Sequence, residues 1–210
     1  MEVEKTHFPT RRSRAIYISK RFKKYLQGKV LDVGCDEAHL KTLLPELSYT
    51  GIDVAGKPDI CINLEKIDKL PFADKSFDCV LCSDVLEHID NLHQIFYELL
   101  RVSNRYVIIS LPNNWSSARL PIERGRGDFA HYGLPVEPIL DRHKWFFNLC
   151  DIVQFMEGNA KKCNFNIIEM FATDKPRSLL SQMLKRISYP SQKKYLNRYS
   201  NTLWTVIEKN

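Results

Sequence analysis

Gly34 and Asp53 stand nineteen residues apart, and each closes a short β-rich run: Lys29-Val30-Leu31-Asp32-Val33 before the first, Tyr49-Thr50-Gly51-Ile52 before the second. A glycine after a strand lets the chain bend sharply and come close to a ligand. The helix that follows such a bend presents unpaired N–H groups. A carboxylate at the tip of the neighbouring strand can accept both hydroxyl hydrogens of a ribose. Together they point to a ligand carrying adenosine; the alternative is that Asp32 and Asp53 only cap turns. A dinucleotide site wants glycines at 34, 36 and 39, where this chain has Gly34, Asp36 and His39. Asp36 would repel a pyrophosphate, whereas a cationic ligand suffers less from it.

A second set of chemically able residues lies further on. His131-Tyr132 and Asp141-Arg142-His143-Lys144-Trp145 bring two imidazoles and a phenol into one polar stretch. Histidine is the common proton acceptor near neutral pH, so His143, His131 and Tyr132 are the catalytic candidates. Asp141 or a backbone carbonyl would fix one tautomer of His143. The competing reading has Asp141 capping a helix that starts near residue 144, with His143 in its first turn. Asn113, Asn114, Trp115 and the aromatics 145–147 could line a ring- or sugar-binding wall, or be core. Glu87 and His88 read as capping and packing residues, and His39 and His93 as surface or packing residues on helix faces.

The elements that must position these groups follow from hydrophobic period. Short β-rich runs alternate with helical segments, which predicts a parallel α/β sheet. Strands are expected at 29–33, 49–54, 59–63, 77–82, 106–111, 165–171 and 203–208, and helices at about 37–44, 91–101, 145–161 and 177–187. Ahead of the sheet, Ala15, Ile18, Phe22 and Tyr25 recur at helical spacing among basic residues. Residues 1–28 therefore read as a basic amphipathic helix with an apolar stripe on the domain and its basic remainder in water. Residues 29–210 form the main domain. Its stretch from about 112 to 143 has four prolines, three glycines and no long periodicity, and reads as a binding insert.

The chain has 210 residues, 44% hydrophobic and 27% charged, which excludes disorder as the main state. The charges are segregated. Residues 1–29 carry nine basic and two acidic groups, and residues 175–198 carry seven basic and none acidic. With a total of +6 and a neutral C-terminal dozen, residues 30–174 are left at −8. An acidic body between basic flanks suits a cationic ligand in the middle, an anionic one at the ends, or two solvated helix faces. Six cysteines, with no apolar leader behind Met1-Glu2-Val3-Glu4-Lys5, read as reduced thiols in the cytoplasm. Cys79 and Cys82 form a C-x-x-C inside an expected strand, where side chains three apart point to opposite faces roughly 10 Å apart. No disulfide, metal site or membrane span is expected.

Four blocks carry a family resemblance: Val30-Leu31-Asp32-Val33-Gly34-Cys35, Gly51-Ile52-Asp53, Leu70-Pro71-Phe72-Ala73-Asp74-Lys75-Ser76-Phe77-Asp78-Cys79-Val80, and Asp84-Val85-Leu86-Glu87-His88-Ile89. In order and spacing, over about residues 28–112, they resemble the class I S-adenosylmethionine-dependent methyltransferases. The resemblance implies a Rossmann-like, seven-stranded, mostly parallel sheet with helices on both faces and an antiparallel last strand. It implies that Asp32 and the turn at Gly34-Cys35 hold the methionine part of S-adenosyl-L-methionine and that Asp53 holds the ribose. By the same resemblance Val54 lies against the adenine, Asn63-Leu64 contact its edge, and Ser83 lines the cofactor. Two of the family's three glycines, at 36 and 38, are replaced by Asp36 and Ala38. The insert is also similar to those of enzymes thought to modify sugars of surface polysaccharides or glycolipids. The implied activity is methyl transfer to a small-molecule or glycan-linked acceptor at oxygen. The alternatives are a nucleic-acid methyltransferase gripping phosphates with its basic flanks, or a non-catalytic binding domain; the oligomeric state stays open.

Overall fold

The computed structural model describes residues 1–125, 131–139 and 141–210. Its centre is one eight-stranded sheet. In chain order the strands are β1 (Glu2–Lys5), β2 (Lys29–Val33), β3 (Ser48–Asp53), β4 (Ile60–Cys61), β5 (Phe77–Ser83), β6 (Ser103–Pro112), β7 (Phe165–Asp174) and β8 (Thr202–Lys209). Their spatial order is β1-β7-β8-β6-β5-β2-β3-β4. All pairings are parallel except those of β8 with β6 and β7. Seven strands match the expected set. The eighth, β1, was not anticipated; it extends the sheet by pairing with the far edge of β7. Four residues without a clear alternation carry too little pattern to reveal a strand whose partner lies some 170 positions away.

The central strands are apolar on both faces, as a covered parallel sheet requires. Along β5, Val80 and Cys82 face one core while Cys79 and Leu81 face the other. On the first face pack α3 (Leu92–Val102), α5 (Leu149–Cys163) and α7 (Gln192–Tyr199). On the second pack α1 (Arg11–Arg21) and α2 (His39–Leu43), through Ile18, Phe22, Leu40 and Leu44. Cys79 and Cys82 are free thiols inside the strand.

Two further helices complete the set, α4 (Asn114–Glu123) and α6 (Leu179–Ser188). The first occupies part of the stretch expected to lack regular structure, where Pro121 masks the helical pattern. The helix expected at 145 starts instead at Leu149, because Asn148 caps it, accepting from the N–H groups of Cys150 and Asp151. His143 is therefore not in a first helical turn, and Asp141 does not cap one.

Part of the basic face of α1 is paired, while Arg12 and Lys20 stay exposed. Arg21 bridges Glu4 of β1 and Glu169 of β7 at 2.7 Å each, and Lys24 reaches Glu169 at 2.8 Å. Burial works against ionisation of Glu169, yet donation from Lys24, Tyr25 and Arg21 holds its carboxyl down to about 2. The stabilisation is present above the free carboxyl value of 4.5 and lost as pH falls toward 2. Glu169→Gln should cost up to about 3 kcal/mol at pH 7 and no more than about half a kcal/mol at pH 2. Urea unfolding at both pH values checks it; an equal cost at each refutes the charge argument.

Candidate active site

The chain leaves β2 for β3 on one side and later enters β5 on the other, so the sheet's order reverses between β2 and β5. Crevices for ligands open at the carboxyl ends of strands at such a point. There the turn after β2 is held by Gly34 and Cys35, whose N–H groups both donate to the Ile52 carbonyl at 2.8 and 3.2 Å. Gly34 has φ +77, and a Cβ on it would lie 2.2 Å from the Val85 side chain. The turn requires glycine at that point.

Asp36 and Ala38 both adopt φ +50, the left-handed region that glycine fills in the related pattern. The negative φ that would make alanine harmless at 38 is not adopted, so the turn carries strain at both positions. Asp36 is tied down on three sides. Its N–H donates to Asp53 Oδ2 at 2.8 Å, its carbonyl accepts from Lys57 N–H at 2.7 Å, and its carboxylate pairs with Arg11 at 2.9 Å.

Asp53 stands at the tip of β3 and accepts from Asp36 N–H on one oxygen and from Val54 and Ala55 N–H on the other. Three acceptor positions of a carboxylate's four are thus engaged, leaving one for a ligand hydroxyl. Beside it Val54 is 60% exposed, an apolar side chain held out at the crevice. Asp32 is buried and accepts from Tyr49 OH at 2.8 Å; burial raises its carboxyl to about 6 against that donation. Burial likewise pushes the Cys35 thiol up to about 12. The Asn63 side chain caps the short turn at 64–66, and the Leu64 side chain points into the core, not the crevice. Ser83 meets Ser110 Oγ at 2.9 Å, and Ser110 in turn donates to Asp84 at 2.6 Å. Asp84, at φ +52, also pairs with Arg14 at 2.8 Å.

Past Asp84 the chain makes a short turn, 86–88, that places Glu87 and His88 against the insert. Lys144 and Trp145 donate their N–H groups to the Glu87 carbonyl. The result is a cluster of three imidazoles. His131 stacks on His143 with ring centres 4.1 Å apart, and His88 stands edge-on to His143 at 4.5 Å. His131 Nδ1 lies 2.8 Å from the Asp141 carbonyl oxygen, an acceptor, so this nitrogen carries the proton and Nε2 the lone pair. His143 Nδ1 meets Asn114 Nδ2 at 3.0 Å and Tyr132 OH at 3.1 Å, accepting from the first in one tautomer and donating to the second in the other. Tyr132 OH donates to the Trp145 carbonyl at 3.0 Å.

Burial, reinforced by His88 and His131, pushes His143 down to about 3. Burial also lowers His88, against the pull of Asp141. Burial, with Asp84 adding to it, raises Glu87 well above the usual carboxylate range. One ligand atom from each of Glu87, His88 and His143 lies within 4.8 Å of the others, so these three could hold a metal ion.

The three catalytic candidates therefore meet in space, and so do Asp32, Gly34, Cys35 and Asp53. One guanidinium links the two groups: Arg11 pairs with Asp36 at 2.9 Å and reaches Asp141 of the cluster at 4.0 Å. Sequence reasoning missed Arg11, Arg14 and Asp84, and gave Glu87 and His88 only structural roles. The available signal was that Asp84 to His88 directly follows a central strand, where a parallel sheet presents its ligand-facing residues. His93 packs between Trp145 and Phe155, as a packing residue would. Beyond the cluster, a groove of about 460 Å³ lies between α4 and α7, lined by Trp115, Ile122, Phe146, Tyr189 and Lys194. Phe146 connects it to the cluster, its ring 5.0 Å from that of Tyr132.

A family profile described as a methyltransferase domain matches residues 31–108. No curated protein sequence matches significantly. Among solved structures, the chain is similar to a SAM-dependent methyltransferase from Archaeoglobus fulgidus at 17% identity and TM-score 0.56, covering 97% of this chain and 96% of that one. The methyltransferase domain of bacterial-CtHen1-C gives 17% and 0.62, covering 95% and 98%. The small RNA methyltransferase HEN1 gives 15% and 0.64, covering all of this chain but 27% of that one. At these identities the likeness is one of fold. Among the described residues no helix is long and apolar enough to cross a membrane.

Proposed function

We propose, for a chain whose residues 31–108 match a methyltransferase-domain profile and whose fold resembles solved S-adenosylmethionine-dependent methyltransferases, a methyl transfer to a hydroxyl of a small-molecule or glycan-linked acceptor. The observation that carries this reading is the bridge from the cofactor turn to the histidine cluster: Asp36, Arg11, Asp141. When bound, S-adenosylmethionine supplies a methyl group on a cationic sulfur. The residues present fit it, with Asp53 keeping one free acceptor position for a ribose hydroxyl and Val54 exposed for the adenine.

His131 is the proton acceptor in this reading. Its Nε2 lone pair is fixed by the Asp141 carbonyl, and its side chain is 40% exposed, so an acceptor can reach it. His143 is buried and weakly basic, and positions His131 by stacking and Tyr132 by a hydrogen bond. His131 would take the proton of the acceptor O–H, and the bound cofactor would supply the methyl group, its C–S bond breaking to leave a neutral thioether; alignment and exclusion of water would supply most of the acceleration. The apolar walls of the groove between α4 and α7 suit an acceptor with an apolar portion.

Nucleic acid is the less favoured acceptor, because three of the four arginines of the first basic flank are committed: Arg11, Arg14 and Arg21 pair with carboxylates of the same chain. Incubating the protein and a cell extract with methyl-labelled cofactor should place label in a nuclease-resistant small or glycan-linked product that loses it under ether-cleaving but not ester-cleaving conditions. Label released by nuclease would overturn the acceptor class.

Asp53→Ala should weaken binding of S-adenosylhomocysteine by about 1.5–3 kcal/mol, roughly ten- to a hundredfold, by removing charge-assisted hydrogen bonds. Calorimetry reads this directly, and an unchanged dissociation constant removes the ribose from that strand tip.

A further inference from the structure

At the end of β5, an imidazole nitrogen and a carboxyl oxygen face one another with no hydrogen bond between them. His88 Nδ1 lies 3.2 Å from the Arg142 carbonyl oxygen and 3.3 Å from Asp141 Oδ1. Both are acceptors, so Nδ1 carries the proton and Nε2 is a bare lone pair. That lone pair stands 3.8 Å from Glu87 Oε1, beyond hydrogen-bond reach. Glu87 is 1% exposed, and its Oε2 is buried without a partner among the described residues. His143 completes a set whose ligand atoms lie within 4.8 Å of one another, close to the span of donors around one first-row ion at about 2.0–2.2 Å.

We propose that Glu87, His88 and His143 hold a divalent transition-metal ion. Two imidazoles and one carboxylate suit Zn²⁺ better than Mg²⁺, which prefers oxygen donors. The ion selects the His143 tautomer that donates from Nδ1 to Tyr132 OH, which itself donates to the Trp145 carbonyl, so that Nε2 faces the metal. The contact with Asn114 Nδ2 belongs to the other tautomer. Three protein ligands leave positions open, and their use to hold an acceptor oxygen rests on the acceptor pocket proposed above.

The test is titration of chelator-stripped protein with ZnCl₂ and with MgCl₂, with neither cofactor nor acceptor present. One saturable Zn²⁺ per chain is expected, weakened about a hundredfold or more in Glu87→Gln and in His143→Asn. Zn²⁺ binding that survives both changes, for instance at thiols, overturns the site, as does no saturable binding. Each variant's melting temperature without metal shows that it is folded. A chain that binds one Zn²⁺ yet methylates nothing keeps the metal site and removes only the acceptor reading.

An independent feature is helix α6 itself. Helix α6 has no buried residue, and Leu179, Leu180, Met183, Leu184 and Ile187 form one stripe, each more than half exposed. Around it, residues 175–198 carry seven basic groups and no acidic one. Among the described residues Lys175, Lys185, Arg186, Lys193 and Lys194 form no ion pair.

We infer that α6 lies on an anionic lipid surface, its apolar stripe in the headgroup boundary and its cations on lipid charges. A second copy fits less well, since pairing this face with itself would oppose like charges. Co-sedimentation with vesicles of phosphatidylcholine containing about a third phosphatidylglycerol should capture the protein, while pure phosphatidylcholine captures at least tenfold less. Leu180→Glu with Leu184→Glu should abolish capture without lowering the melting temperature. Equal capture of wild type and double variant, or no capture, overturns the inference. So does a dimer in sedimentation analysis that the double variant dissociates, which assigns the stripe to a second copy.

Discussion

His131→Ala lowers kcat by about 10²- to 10⁴-fold, the usual loss when a positioned proton acceptor is removed, and leaves the dissociation constant of S-adenosylhomocysteine unchanged. The separation follows from geometry. His131 stands across Arg11 and Asp141 from the cofactor turn, and makes no contact with Asp32, Gly34 or Asp53. His131→Asn, which keeps a polar group of similar reach without the basic nitrogen, should be as slow as the alanine variant. Single-turnover rates measured on an identified acceptor check both. A kcat within threefold of wild type in either variant would transfer the role to water or to another group. The same experiment on His143→Ala reads differently, because a buried imidazole at about 3 is a poor base, and its removal leaves His131 without its stacking partner. A smaller loss, partly recovered in His143→Gln, is the expected signature of a positioning residue.

Phe22→Ala destabilises the protein by about 3–5 kcal/mol, the range for an aromatic removed from a closed core. Phe22 is fully buried at the end of α1, with its ring 5.2 Å from Trp204 and 6.2 Å from Phe171, so a cavity there has β7 and β8 on one side and cannot collapse without bending the sheet. At this chain length each kcal/mol is worth about 2–4 °C, and the melting temperature should fall by roughly 6–20 °C. Phe22→Leu, which fills most of the volume, should cost less than half as much. Because α1 carries Arg11 and Arg14 onto Asp36 and Asp84, the alanine variant should also loosen the cofactor turn. Equilibrium unfolding in urea decides it: a cost below 1 kcal/mol would mean that the helix does not anchor to the sheet through this ring.

Much of the fold is legible in the residues. β2, β3, β5, β6 and β8 are short runs with β-branched or aromatic side chains, and a strand's conformation depends on residues two positions away. Where the pattern is weak the reading weakens too, as with the two-residue β4, the four-residue β1, and α4, where Pro121 interrupts the signal. The turn after β2 is legible for the same local reason: Gly34 must bend and Asp53 must end its strand within one β-α-β passage. Even there, a one-dimensional reading could not tell that Asp36 and Ala38 would keep a glycine's backbone angles, since the constraint comes from Ile52, Asp53 and Lys57 across the turn.

The sequence by itself determined a parallel sheet, a bend at Gly34 and a carboxylate at the tip of the next strand, because periodicity and turn chemistry act over a few residues. Only the tertiary structure decided that Arg11 and Arg14 would be spent on Asp36 and Asp84, that Glu87 would be buried with one oxygen unpartnered among the described residues, and that His88, His131 and His143 would meet. His88 and His143 are fifty-five positions apart, and nothing in either segment specifies the other. They come together because β5 ends beside β2 and the chain after α4 returns across that end, where the backbone groups of Lys144 and Trp145 find the Glu87 carbonyl. Such meetings depend on which strands are neighbours and where buried backbone groups find partners, and both are properties of the whole packed chain.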